Sequence, residues 1–593
     1  PPDDSCDRRS RIRRRSRIGR HKLPHALLAL LFCPALGAQE VTSGDVVVRG
    51  LPGLPDGATH GYCEIVLLVT NHSPARPHQV RLETPADSFA GAHLLGRMSR
   101  TVVVGPATSL RVALLQPPLP LAGTGVRVAV DGRVVPESLP FNSGHPSSRI
   151  YRAPSPGGSS AEEVALRVLV SQRVDVDVLP ETTDTERYRA AVSPPAAWSG
   201  DWLAYSGYDG VVLAAGDLAE LKGEIRDALR RYAESGGAVL AMGADAAVLE
   251  LPPAVDELGL AVSYTGFGVV MSGPQRLGAG QLDRVARAWL RSAAPWSLAS
   301  DPRGVHQVMP VIDEIRVPVR GLFLVVVAFA VLIGPVNLFL LSRRGRRIWL
   351  LWTVPAAALL ACLAIFAYTL VDEGLLRVHR GASLTILDQR SHRGVTVAWS
   401  GYYSTLTPGG GLRFAPGVEV TPVIAWTFGA YGSSASYKTL DLTEGQHLDA
   451  GWVSARLPAY FMVRRNALRR ERLRVRRDGG LAVTNGLGAE IVALHLAGAD
   501  GRLYRAGRVA AGASEPLTGP HGDAAGRPSS LRELYDADLP SRMRRLREEP
   551  EDYLRPGTFL AVLAADPFLE PGLEGLREAR SEAVVYGLVE EAP

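Results

Sequence analysis

Cysteine is scarce in this chain, with four residues in 593. Cys6 and Cys33 lie near the amino terminus, Cys63 in a run of strand-forming residues and Cys362 in an apolar run. No structural disulfide is expected, because the first pair belongs to a predicted leader and the other two to different structural elements. Residues 151–317 contain no cysteine, which excludes a thiol nucleophile from that segment.

Lysine is scarcer still, since only Lys22, Lys222 and Lys438 occur among 65 basic residues. Arginine therefore supplies nearly all of the positive charge. Much of the excess lies in residues 8–22 and in the short segment 342–347, where targeting and membrane topology explain it. The net charge of +5 consequently does not predict binding to nucleic acid.

Motifs of common enzymes are also missing. The chain has no Gly-Xaa-Ser-Xaa-Gly elbow, no phosphate-binding loop and no His-Glu-Xaa-Xaa-His motif. The 13 histidines do not pair with cysteine or carboxylates at ligand spacing, and we interpret His60 and His72, near Cys63, as strand and turn residues. We therefore expect no catalytic motif, no cofactor and no metal.

Two long apolar runs, 321–341 and 348–371, dominate the centre of the chain. Each has about the 20 residues that cross a bilayer as a helix. The turn between them, 342–347, carries four arginines, whereas acidic residues flank the runs, which predicts a transmembrane hairpin over 318–373 with a cytoplasmic turn. The topology-determining arginines are Arg343, Arg344, Arg346 and Arg347.

The first apolar run, 321–341, contains two residues that could have a function. Pro335 and Asn337 could mark a substrate path, because polar groups at membrane depth are expensive. Two helices cannot line a pore, so we favour a kink and a hydrogen bond between the helices.

The first 38 residues resemble a basic leader with a signal peptide. Arg20 and Lys22 precede the apolar run 26–36, and small residues follow it at Gly37 and Ala38. This pattern is typical of export. The flanks of the hairpin are therefore expected outside the cytoplasm.

Residues 41–150 contain short β-branched or alternating runs separated by glycine, proline and asparagine, which predicts an immunoglobulin-like β-sandwich. A linker-like segment, 140–160, follows. The predicted strands are 46–48, 63–70, 78–83, 101–104, 110–115 and 126–130.

Residues 151–317 alternate between strand and helix patterns. Strands are predicted at 166–171, 174–179, 210–214 and 238–242, and helices at 218–232 and 281–293. Apolar strands joined through an amphipathic helix predict a parallel sheet covered on both faces.

Residues 374–593 return to strand patterns and predict a separate β-rich extracytoplasmic domain with a surface helix in 527–553. The predicted strands are 383–387, 394–403, 418–428, 481–484, 491–497, 503–506 and 559–563.

Several short motifs suggest a family. The strand Tyr208–Leu213, followed by a helix, Gly236-Gly237 and a strand, resembles the class I glutamine amidotransferase-like α/β fold. The segments 334–337, 556–559, 567–569 and 584–587 are similar to uncharacterised bacterial two-pass inner-membrane proteins with such a domain outside the membrane. The resemblance implies an architecture and no particular activity.

Carboxylates are the remaining candidates for chemistry. Asp217 and Asp245 follow predicted strands, where reactive groups of α/β folds lie, but we interpret each as a carboxylate that caps the next helix. His306, Asp313 and Glu314 could supply acid and base groups, but we interpret them as a solvated linker before the membrane.

An arginine-rich stretch near residue 470 is the most evident candidate binding surface. It could contact anionic lipid headgroups or a partner, or it could be a solvated strand and turn. The residues proposed for the contact are Arg464, Arg465, Arg469, Arg470, Arg472 and Arg474.

Together these patterns predict a multidomain, two-pass protein of a bacterial inner membrane with large periplasmic domains. We expect a scaffold, ligand-binding or assembly component of an envelope complex, whose partners are the lipid bilayer and membrane or envelope proteins. Two alternatives remain open: an extracytoplasmic hydrolase or amidase that uses carboxylates, and an accessory subunit of an exporter.

Overall fold

A computed structural model describes the chain from residue 40 to residue 590 with gaps. The described residues are 40–55, 60–85, 95–119, 121, 125–140, 166–176, 188–243, 249, 251–298, 302–312, 319–343, 347–373, 377–424, 437–477, 480–524, 526, 539–576 and 578–590. The predicted leader 1–38 lies outside them, as does most of the predicted linker.

The amino-terminal segment is built of antiparallel strands, as predicted. In one four-stranded sheet the order is β1-β2-β3-β6, and β5-β4-β7-β8 are consecutive in a second sheet. The bounds are β1 (Glu40–Ser43), β2 (Val46–Leu51), β3 (Cys63–Asn71), β4 (His78–Thr84), β5 (Leu95–Val104), β6 (Thr108–Gln116), β7 (Gly125–Val130) and β8 (Arg133–Pro140).

The next segment forms a seven-stranded mixed sheet with helices on both faces, which we call the α/β unit. Its strands are β9 (Leu166–Ser171), β10 (Tyr188–Ser193), β11 (Gly210–Leu213), β12 (Ala238–Met242), β13 (Val255–Glu257), β14 (Leu260–Thr265) and β15 (Gly268–Gly273). Its helices are α1 (Asp217–Glu220), α2 (Gly223–Glu234) and α3 (Ala279–Ala293), and α4 (Pro302–Val308) follows.

Strand order in the α/β unit is β10-β9-β11-β12-β15-β14-β13, and the first five strands are parallel. Apolar side chains of α2 pack on one face and those of α3 on the other. The predicted parallel sheet is thus present, with an antiparallel edge that was not predicted. The strand predicted at 174–179 is wrong where it is described, because Val174 lies in a turn after β9.

Apolar helices follow the α/β unit. They are α5 (Val319–Val331), α6 (Asn337–Arg343) and α7 (Leu350–Glu373), and a π-helical turn, Leu332–Val336, joins α5 to α6. Among the described residues one stretch, Val326–Arg343, is long and apolar enough to cross a membrane, and none of it is buried. Within α7 the apolar stretch is shorter, Leu351–Leu363.

The carboxyl-terminal segment is β-rich, as predicted. Its strands are β16 (Arg377–Asp388), β17 (Arg393–Ser404), β18 (Leu412–Phe414), β19 (Val418–Val423), β20 (Lys438–Asp441), β21 (Gln446–Leu448), β22 (Ala459–Leu468), β23 (Arg472–Arg477), β24 (Leu481–Gly486), β25 (Ile491–Ala497), β26 (Leu503–Ala506), β27 (Ser514–Pro516), β28 (Thr558–Leu563) and β29 (Glu578–Leu588). One helix, α8 (Leu539–Glu548), buries Leu539, Met543 and Leu546.

Most of these strands form an eight-stranded sheet in the order β19-β22-β17-β16-β29-β28-β25-β26, and β23-β24-β27 form a small sheet beside it. The remaining strands, β18, β21 and β20, extend the amino-terminal sheet that contains β5. Strand β20 pairs with β5 in parallel, so residues that precede the apolar helices share a sheet with residues that follow them.

The prediction of separate domains at 41–150 and 374–593 is therefore wrong. A single core contains Val80 and Met98 from the first segment and Leu412, Phe414 and Phe461 from the last. Sequence alternation identifies strands locally, but it does not identify partners that lie hundreds of residues away.

The chain leaves and re-enters the folded body at one place. Before the apolar helices, Val311 packs in a core that also contains Val378, the second residue of β16. The Arg380 guanidinium donates a hydrogen bond of 2.7 Å to the Pro310 carbonyl oxygen. The segments on both sides of the helices thus meet at the same end of the eight-stranded sheet.

Candidate functional site

The first candidate position is the carboxyl edge of the parallel strands. Strand β9 has β10 on one side and β11 on the other, so the chain leaves β9 and β11 on opposite sides and opens the crevice where α/β folds bind ligands. Arg173 follows β9, and Asp217 and Glu220 follow β11. The fold therefore places Asp217 at the position expected for a reactive group.

The contacts of Asp217 indicate a structural role instead. One carboxylate oxygen accepts a hydrogen bond of 2.7 Å from the Ala214 amide, and the other lies 3.3 Å from the Arg173 guanidinium. Arg173 also pairs with Glu220. The predicted helix cap is not observed, because Gly216 occupies the cap position and Asp217 bonds back to the preceding turn. Asp217 thus connects the turn after β11 to an arginine of the turn after β9.

The other predicted candidates are three carboxylates and His306. Asp245, Asp313 and Glu314 lie outside the described residues. His306 lies in α4 and not in a linker, but its side chain is exposed, as predicted, and its ring contacts Tyr460 of β22. Within the described part of the chain, no group of three or more potential metal ligands lies together.

Arg464 is buried, which contradicts its predicted contact with lipid. It lies in β22, an interior strand of the eight-stranded sheet, with 3% of its side chain exposed. Its Nε lies 2.6 Å from the Glu419 carboxylate, an Nη donates to the Ser235 carbonyl oxygen at 2.9 Å, and its guanidinium lies 4.7 Å from the Trp296 ring centroid. Arg464 therefore joins the sheet to the α/β unit.

Two further arginines of the predicted lipid contact are held by the loop after β28. Arg465 donates to the Phe568 carbonyl oxygen at 3.4 Å, and Arg469 donates to the same oxygen and lies over the Phe568 ring. Burial is the main reason why the pKa of Arg469 is lowered. Their contacts within the protein leave Arg470, Arg472 and Arg474 as the exposed remainder of the set.

Arg472 and Arg474 belong to a flat basic surface on β23. Arg472, Arg474 and Arg476 alternate with Leu473, which is buried, so the arginines share the outer face. On the neighbouring strand they pair with Gly486, Thr484 and Ala482, and Arg472 lies 3.6 Å from Glu590. We call Arg472, Arg474 and Arg476 the arginine face.

The arginine face is far along the sheet from the apolar helices. The Leu473 amide donates to the Gln389 side chain, and Gln389 follows the last residue of β16. Helix α7 ends just before the first residue of β16, whose 12 residues span roughly 36–40 Å. If the apolar helices span a membrane, as predicted, a lipid contact requires the sheet to lie along the membrane surface. This position therefore favours a partner protein over lipid.

A buried polar seam, which the sequence did not reveal, joins the α/β unit to the eight-stranded sheet. Glu234 at the end of α2 accepts hydrogen bonds from Asn466 and Arg393, and Arg393 also lies 2.8 Å from Asp227. On the same seam, His60 stacks on Trp296 and lies 3.2 Å from Asp209. His60 is thus an interface residue.

A second buried carboxylate joins the α/β unit to the amino-terminal sheet. Glu64 in β3 is 6% exposed and accepts a hydrogen bond of 3.0 Å from Ser199. Burial raises the pKa of Glu64 to about 7, and the Ser199 bond opposes that rise. The folded state therefore holds a proton that an unfolded chain releases at lower pH.

The apolar helices contact each other through Asn337, the polar residue of the first apolar run. The Asn337 side-chain amide donates a hydrogen bond of 2.9 Å to the Thr353 hydroxyl of α7. The predicted bond between the helices is confirmed, and Pro335 lies in the π-helical turn. Of the four topology arginines, Arg343 ends α6, Arg344 and Arg346 lie outside the described residues, and only the backbone of Arg347 is described.

Comparison with known proteins gives no family. The chain matches no protein-family model and no curated protein sequence. The resemblance to amidotransferase-like membrane proteins stays a prediction.

Replacement of Arg464 by alanine is expected to destabilise the folded body strongly. Glu419 would keep its burial and lose its partner, and removal of one member of a buried ion pair costs about 3–5 kcal/mol. Thermal unfolding of the purified protein checks this, with Arg474→Ala as control because Arg474 is exposed on the same arginine-rich stretch. Equal unfolding temperatures for the two variants would contradict the structural role.

Replacement of Glu64 by glutamine is expected to stabilise the protein at pH 8 and to change little at pH 5. The pKa of Glu64 is about 7 in the folded state, so wild-type stability falls as the pH rises from about 4.5 to 7. The gain at pH 8 is at most about 3 kcal/mol. Unfolding midpoints at both pH values measure it, with the exposed Glu137→Gln as control. A gain that is equal at both pH values would exclude this origin.

Proposed function

We propose that this chain is a membrane-anchored scaffold of a bacterial envelope complex, with its folded body outside the cytoplasm and two apolar helices as the anchor. The observation that carries the proposal is that the chain leaves and re-enters the body at one place, where Pro310 contacts Arg380. A chain that crosses the membrane between two such adjacent points must cross it an even number of times.

The exposure of the helices supports an anchor. Phe323, Leu351 and Trp352 are 69%, 79% and 77% exposed. Exposure of this much apolar surface to water is energetically unfavourable, whereas its contact with the hydrocarbon core of a bilayer is favourable. The bond between Asn337 and Thr353 favours a paired arrangement, in which α7 returns beside α6.

Orientation and export are inferred from sequence. The arginines of the turn favour a cytoplasmic position for it, and the signal-like leader favours export of the segment that follows. These two independent patterns place the body on the same side.

A scaffold explains the site better than catalysis does. Residues 151–317 lack cysteine, and Asp217 is engaged by Arg173 and by the Ala214 amide. The body instead offers large rigid surfaces held by buried ion pairs, of which the arginine face suits an acidic protein partner.

Cysteine labelling tests the proposed topology. In a variant whose four native cysteines are alanine, Arg508→Cys, at a side chain that is 78% exposed on the body, should react with a membrane-impermeant maleimide added to intact spheroplasts. Arg343→Cys, at the end of α6, should react only after the membrane is permeabilised.

Reaction of both cysteines from the same side would exclude a pair of spanning helices. Recovery of the full-length chain in the soluble fraction would exclude an anchor of any kind.

A further inference from the structure

A cavity of about 530 Å³ lies between the α/β unit and the eight-stranded sheet. Its volume falls within the range of about 300–1,000 Å³ that is usual for sites of small molecules, and such sites are frequent between domains. The α/β unit contributes residues around Pro252 and Tyr264, and the sheet contributes the ends of β16, β17 and β29. No function considered above accounts for this space.

Positively charged side chains outnumber negatively charged ones in the lining of the cavity. Four arginines and two carboxylates line it: Arg230, Arg390, Arg393, Arg555, Glu234 and Asp388. Glu234 pairs with Arg230 at 3.0 Å and with Arg393 at 3.4 Å. These two arginines therefore share a carboxylate partner, Glu234, in the buried seam.

Asp388 does not neutralise the other two arginines. Its carboxylate accepts hydrogen bonds from the Arg390 backbone amide at 3.0 Å and from the Ser391 hydroxyl at 2.7 Å, which close the turn after β16. In the described part of the chain, neither the Arg390 nor the Arg555 guanidinium lies within ion-pair distance of a carboxylate. Among the described residues, these two positive charges at the cavity therefore have no acidic partner.

Both guanidinium groups line the cavity and form hydrogen bonds with residues in or just after the end of β29. Arg390 donates through Nε to the Val589 carbonyl oxygen at 3.3 Å, and Arg555 donates through Nε to the Tyr586 hydroxyl at 3.4 Å. Each group is held by its Nε. Among the described residues neither group makes a hydrogen bond through its two Nη atoms, which have the geometry that binds carboxylate or phosphate oxygens in pairs.

The rest of the lining is largely apolar. Leu251, Pro252 and Pro253 form part of the wall on the α/β unit, and Ile386 and Val395 lie on the sheet side. An apolar wall with a few convergent polar groups is the usual composition of a small-molecule site.

We propose that this cavity binds a small organic anion, with a carboxylate or phosphate group held by Arg390 and Arg555 and an apolar body against the proline-rich wall. This site goes beyond the scaffold role proposed above, because it assigns the folded body a ligand of a stated chemical class. Its test does not depend on membrane topology, because the cavity belongs to the folded body.

Calorimetric titration of the full-length protein in detergent tests the site with three probes that share a six-carbon chain: hexyl phosphate, hexanoate and hexan-1-ol. At least one anion should bind, and the uncharged alcohol should bind at least about tenfold more weakly. The stronger of the two anions distinguishes a phosphate from a carboxylate ligand.

The double variant Arg390→Gln/Arg555→Gln should bind the anion at least about tenfold more weakly than wild type. Arg508→Gln, an exposed arginine elsewhere on the body, should bind as wild type does. Matching unfolding temperatures of wild type and double variant show that the fold is retained.

Three results would overturn the proposal: no binding of either anion at about 10 mM, equal binding of alcohol and anion, or equal binding by wild type and a folded double variant. None of them changes the expected labelling of Arg343→Cys and Arg508→Cys. Failure of the ligand site is thus distinguishable from failure of the proposed anchor.

Discussion

The parallel pairing of β20 with β5 is the constraint on which the rest of the structure depends. Parallel strands need a long connection between them, and here that connection contains the α/β unit, the apolar helices and three strands of the eight-stranded sheet, β16, β17 and β19. The pairing makes the body continuous across the interruption by the apolar helices. The common core of Val80, Met98 and Phe461 then gives this continuity its hydrophobic stabilisation.

The buried polar seam has a different role from the core. Burial raises the pKa of Glu419, and the Arg464 guanidinium opposes that rise. Ion pairs of this kind give little net stability compared with apolar residues of similar size, but they tolerate few alternative arrangements. The bonds from Asn466 and Arg393 to Glu234 likewise fix the position of α2 over the sheet. The seam thus defines how the α/β unit sits and leaves the cavity open at its edge.

Local structure could be predicted well from the sequence, because it depends on local periodicity. The bounds of β9, β12 and β25 agree with the predicted runs. The predicted helix 218–232 is interrupted at Leu221-Lys222, where the chain is extended between α1 and α2. A prediction of one continuous helix missed this break because the apolar spacing continues through it.

Long-range structure could not be predicted in the same way. Arg464 was assigned to a basic surface because arginines surround it, yet its neighbours in β22, Phe461, Met462 and Val463, are all buried. That run indicates a strand covered on both faces, in which a charge must have a partner. The cavity could not be predicted either, since Arg390 and Arg555 are distant in sequence and line one cavity through contacts near the end of β29.

The central position of β29 has a consequence for biogenesis. This strand lies between β16 and β28, so the eight-stranded sheet remains split until residues near 588 have been synthesised. Nascent β16 and β28 meanwhile present unsatisfied edges that favour aggregation. Intermediates that lack β29 therefore expose two strand edges, and completion of the eight-stranded sheet is expected to be a late folding step.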